Sequence, residues 1–66
     1  MKREKLQAFR KDQGLTQAEM AQKLEISLAH YKGIEYGRQQ PSISVLQKFY
    51  GIYKNHCGDI LGLFIA

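Results

Sequence analysis

The chain has one cysteine, one proline and no tryptophan among its 66 residues. Cys57 alone cannot close an internal disulfide, so a stapled scaffold is excluded and packing has to supply the stability. The longest apolar stretch, residues 60–66, falls far short of the roughly 20 residues a membrane-spanning helix needs. Residues 7–13, behind a basic start, are polar and amphipathic where an export signal would be continuously apolar. The expectation is a soluble, cytoplasmic chain with no membrane partner. Acidic residues are few, six against ten Lys and Arg, and the net charge of +4 favours polyanionic partners.

Reactive residue types are equally scarce. His56 and Cys57 are neighbours in sequence, so their side chains diverge, and no third group is evident to orient them as a nucleophile and base. Two histidines and one cysteine have no metal-ligand spacing. No catalytic residue, metal, cofactor or small-molecule ligand is expected, and the chain is not read as an enzyme. With 44% hydrophobic and 24% charged residues and no low-complexity tract or internal repeat, it reads as an ordered domain. A single domain over 1–66 buries only roughly 60% of its unfolded surface, so its core has to be compact.

Alternating strand patterns are missing, and what is present is helical punctuation. Residues 2–13 carry Leu6 and Phe9 amid charged neighbours and stop at Gly14. Thr16, with Glu19 three residues on, can cap a helix over 17–24 whose inner face holds Met20, Ala21 and Leu24. Glu25 and Ile26 form a turn. Ser27 then caps a helix over 28–36, with Tyr31 and Ile34 inward and Gly37 as its stop. Pro41 and Ser42 precede a helix over 43–53, whose apolar face is read as Ile43, Leu46, Phe49, Tyr50 and Tyr53. Asp59 starts a last short helix over 59–65.

The fold class is therefore all-α, a compact bundle of about five short helices. Two capped helices separated by so short a turn have to cross steeply, the geometry that sets a helix into the DNA major groove.

Arg10, Leu15, Thr16, Gln17, Ala21, Ile26, Ser27, Ile34, Glu35, Gly37, Pro41 and Ser42 together match a running pattern. In these residues the chain resembles the lambda-repressor-like, or Cro-type, helix-turn-helix family over roughly residues 3 to 53. The resemblance implies double-stranded DNA as the partner, a palindromic operator and a transcriptional regulator, in particular a repressor of phage or mobile-element type. It also implies an ion pair between Arg10 and Glu35 that ties the second helix of the motif to the scaffold.

Phosphate contacts are expected at helix starts, where unpaired N–H groups and a partial positive charge gather. Gln17 and Ser42 stand there, and Arg38, with Gln39 and Gln40, is placed by the resemblance to reach the DNA backbone beside the groove. The base-facing residues are expected to be Leu28, Ala29, Lys32 and Gly33, with His30 and Tyr36 at the margins. Many family members carry polar side chains at these positions, because reading a base edge needs a donor or acceptor. Leu28, Ala29 and Gly33 supply none. Gly33 within a helix suggests a close approach to DNA or to a neighbouring element, and Glu25 stands where the family often has a left-handed glycine, which would cost strain.

The apolar tail, with Leu61, Phe64 and Ile65, is expected to pair two copies as a homodimer reading half-sites roughly 34–36 Å apart. The alternative reading is a helix-turn-helix that has lost base readout and binds another regulator or a toxin as a protein-interaction module.

Overall fold

The structure is a computed structural model that describes residues 2–56 and 60–64. Five helices follow in order: α1 Glu4–Asp12, α2 Gln17–Lys23, α3 Leu28–Glu35, α4 Ile43–Tyr53 and α5 Ile60–Phe64, and the described residues contain no strand. α2 packs on α3, and α1 packs on both α5 and α3, within an envelope of 27 × 23 × 23 Å.

The helix starts follow the caps written in the sequence. Thr16 and Glu19 form a complete capping box, with Glu19 N donating to Thr16 Oγ1 at 3.1 Å and Thr16 N to Glu19 Oε1 at 2.8 Å. Ser27 accepts from His30 N at 3.0 Å and Ser42 from Val45 N at 3.2 Å. α1 starts two residues later than residue 2, with Arg3 as its N-cap: the Arg3 carbonyl accepts from Gln7 N at 3.1 Å while its own N donates to Glu35 O.

The first three helices all end in one way. After α1, Gly14 N donates to Lys11 O and Leu15 N to Arg10 O; after α2, Glu25 N donates to Gln22 O and Ile26 N to Ala21 O; after α3, Gly37 N donates to Ile34 O and Arg38 N to Gly33 O. This is the Schellman pattern, and it needs one left-handed residue past the helix. Gly14 and Gly37 supply it at φ of 72° and 81°, while Glu25 is forced into the same region at 59°.

Leu6, Met20, Ala21, Leu24, Tyr31 and Ile34 meet Val45, Phe49, Tyr53, Ile60, Leu63 and Phe64 in one core. Phe49 sits at its aromatic centre, with ring centroids 5.6 Å from Phe9, 4.9 Å from Tyr53 and 5.0 Å from Phe64. The buried stripe of α4 is Val45, Phe49 and Tyr53, four residues apart, which corrects part of the face read from sequence. Ile43 is 73% exposed and Tyr50 57% exposed. Apolar residues flank the stripe on α4, and composition alone does not say which row faces in. Phe64 is likewise a core residue, closing on Phe49, whereas Leu61 is exposed. Asp59 and Ile65, placed by sequence at the ends of the last helix, lie outside the described residues.

Candidate nucleic-acid interface

α3 is fixed from below by a buried polar cluster around Glu35. Arg10 Nε donates to Glu35 Oε2 at 2.9 Å and Arg10 Nη2 to Glu35 Oε1 at 3.2 Å, the two parallel bonds of a guanidinium on a carboxylate. Tyr31 Oη adds a third donor at 2.7 Å and Gln17 Nε2 a fourth at 2.9 Å. Burial acts to raise the Glu35 carboxyl, but the bonds from Arg10, Tyr31 and Gln17 outweigh it and hold the group below the ordinary glutamate range. Burial first, then the bond to Glu35, pushes the Tyr31 hydroxyl well above its usual value, so it stays a donor. Arg10 also closes on Leu15 O at 2.8 Å, joining α1 to the start of α2.

A second clamp was not visible in the sequence. Arg3 is 3% exposed, and its backbone N donates to Glu35 O at 2.8 Å. Its guanidinium donates to the carbonyls of Ile34, Gln39 and Phe64 and to Gln40 Oε1. The cation thus stands over the C-terminal end of α3, where carbonyls are left unpaired and the helix dipole is negative. Within the run Lys2, Arg3, Glu4, Lys5, nothing in pattern or spacing sets it apart. The one available hint is that a planar fork of donors suits several carbonyls where an ammonium does not.

With its inner side held in this way, α3 turns Leu28, Ala29 and Lys32 outward, all three exposed. Gly33, expected beside them, is instead buried beneath the Gln39 side chain; a Cβ there would sit 3.0 Å from Gln39 Cδ and Oε1. The close approach that its lack of side chain permits is therefore made by the following loop. Tyr36, at the end of α3, has Lys2 Nζ 5.7 Å and Arg38 Cζ 5.6 Å from its ring centre. Ala29, Lys32, Gly33, Tyr36, Arg38 and Gln39 line one concavity of about 260 Å³.

The expected phosphate residues are less uniform. Arg38 is exposed beside this concavity. Ser42 is exposed at the start of α4 with its oxygen accepting from Val45, which leaves the hydroxyl proton free to donate. Gln17 is half-buried and spends one N–H on Glu35, leaving the other. His56 packs edge-on against Tyr53, with centroids 5.7 Å apart, and Cys57 lies outside the described residues. No helix among the described residues is long and apolar enough to cross a membrane.

Two capped helices across a tight turn, the second pinned from within and open outside beside three cations, are the construction of a helix-turn-helix. A family model described as helix-turn-helix matches residues 6–49, which is 44 of the 66 residues. The chain belongs to this family, of lambda-repressor and Cro type, and is a DNA-binding helix-turn-helix regulator. Comparison with curated proteins and with solved structures gave no match.

Proposed function

We propose that the chain is a sequence-specific transcriptional repressor that lays α3 in the major groove of a palindromic operator as a homodimer. The observation that carries this reading is the outer side of α3, where exposed Leu28, Ala29 and Lys32 run into a concavity edged by Arg38. Lys32 donates to guanine O6 or N7, and Leu28 and Ala29 contact thymine methyl groups. Gln17, Arg38 and Ser42 hold phosphates on either side and set the register. A regulator of phage or mobile-element type needs no more than this to repress, since occupying the operator is sufficient.

Pairing through the C-terminal segment draws its support from Leu61, 63% exposed on α5. Phe64 is no part of that surface, being spent in the core. Light scattering at high concentration should show a dimer, and Leu61→Glu a monomer.

Fluorescence anisotropy on duplex DNA across a salt series tests the reading as a whole. Six to eight phosphate contacts in a dimer give log K against log salt a slope of roughly −5 to −7. A flat slope, or no binding at low salt, favours the protein-interaction module. That second reading draws on the exposed Ile43, Tyr50, Ile52 and Leu61.

A further inference from the structure

We propose that Gln39, a loop residue outside the helix-turn-helix, is a specificity-determining side chain that reads adenine in the major groove. The inference rests on the DNA-binding reading above and adds a base-reading group to it. α3 presents Lys32 as its polar side chain among Leu28, Ala29 and Gly33, and Lys32 is suited to guanine. Lys32, Tyr36 and Arg38 around the same concavity can donate, but none offers adenine the paired donor and acceptor of an amide. Gln39 fills that gap because its side chain lies over Gly33, on the turn of α3 that carries no side chain itself.

Three features make this placement a built one. Gly33 is buried, and a Cβ there would stand 3.0 Å from the Gln39 amide carbon and oxygen, so the amide lies against bare backbone and a side chain at 33 would push it outward. The Gln39 backbone is tied on both sides, its N donating to Gly33 O at 3.1 Å and its O accepting from Arg3 at 3.0 Å. The side chain lines the same concavity as Ala29 and Lys32, and among the described residues no group hydrogen-bonds its amide. An amide offers one acceptor and two donors, which fit adenine N6 and N7 in a bidentate pair. The tied backbone reduces the ordering required on binding, since only the outer torsions of the side chain have to be fixed.

The test selects bound duplexes from random DNA with the wild-type chain, Gln39→Ala and Gln39→Glu, after thermal melting has shown that all three are folded. The wild type should select a site that contains an adenine whose replacement weakens binding about 5- to 100-fold. Gln39→Ala should lose discrimination at that adenine and keep it at the other positions. Gln39→Glu should move the preference toward cytosine, whose N4 amine donates to a carboxylate. Identical selected sites for all three chains would overturn the assignment of Gln39 and leave DNA binding standing. So would a weakening by Gln39→Ala that is equal for every sequence, the mark of a phosphate contact, or a loss confined to a base other than adenine. A wild type that selects no sequence would bring down the reading of the previous subsection and this inference with it.

Discussion

Arg3 and Phe64 stand 61 positions apart, and Arg3 Nε donates to the Phe64 carbonyl at 2.8 Å. The same guanidinium holds the carbonyls of Ile34 and Gln39, so one side chain joins the first residues of the chain to α5 and to the end of α3. Arg3→Ala takes the guanidinium away from the carbonyls of Phe64 and Gln39 and leaves Ile34 O with Gly37 N alone, at a cost of about 3 kcal/mol. For a domain of this size, the melting temperature should fall by roughly 12–24 °C. Arg3→Lys should recover a minor part, because one ammonium cannot span three carbonyls. A variant that melts within a few degrees of the wild type would show that the carbonyls find water instead.

Removing Arg10 leaves the Glu35 carboxylate buried without its counter-charge. Arg10→Ala should destabilise by roughly 3–5 kcal/mol, and Tyr31→Phe, which deletes one neutral donor to the same carboxylate, by about 1–2 kcal/mol. Since both act on Glu35, chemical denaturation of the double variant should depart from the sum of the single effects. Strict additivity would mean that the two bonds are independent.

Glu35 also gives the domain an acid-sensitive component. Its carboxyl titrates below the ordinary glutamate value of about 4.3, so in the window between the two the unfolded chain takes up a proton that the folded chain refuses. Stability from this group is complete above about pH 5 and is lost as pH falls through the folded value. Glu35→Gln should therefore be less stable than the wild type at pH 7, with the gap narrowing as urea titrations are repeated toward pH 3. A gap that stays constant with pH would place the effect in packing.

Among the described residues Glu25 is the one left-handed residue past a helix that is not glycine. A left-handed side chain costs roughly 1–2 kcal/mol, part of which Glu25→Gly gives back through the freedom of the unfolded chain. The Lys48 pair lost with it, 3.6 Å long between exposed groups, is worth little. The net gain should be about 0.5–1 kcal/mol, read as a melting temperature raised by roughly 2–8 °C. Glu25→Ala keeps the strain and should show no such gain.

On DNA, Gln17→Ala should weaken binding to all sequences alike, whereas Lys32→Ala should change which sequence is preferred. Because Gln17 also donates to Glu35, the comparison belongs at a temperature where both variants are folded. The opposite pattern would exchange the two roles.

Much of the scaffold was legible in the residues. Thr16, Ser27 and Ser42 each act on the backbone N–H three positions ahead, so their effect is written in adjacent sequence. Met20, Ala21 and Leu24 have polar residues around them, and their inward row is plain. On α4, Ile43 and Tyr50 are as apolar as Val45 and Phe49, and only the position of α1 and α5 selects the row that is covered. Phe64 is a related case, since by composition an aromatic side chain on a short apolar helix serves a core and a surface equally well, and its packing on Phe49 places it in the core.

The residues by themselves determined the helices, their caps and stops, and the match that makes this chain a helix-turn-helix, because these depend on contacts within a few positions. Tertiary structure decided which side chains surround the outer face of α3. Arg3 emerged from a basic run to hold the end of that helix, Gly33 became a seat for Gln39, and Gln17 acquired a buried partner in Glu35. Gln39 returns to Gly33 within the loop that follows α3, whereas Arg3 and Gln17 reach Ile34 and Glu35 only because α1 and α2 pack on α3. Their partners are fixed by where whole helices come to rest, a quantity that no local pattern carries.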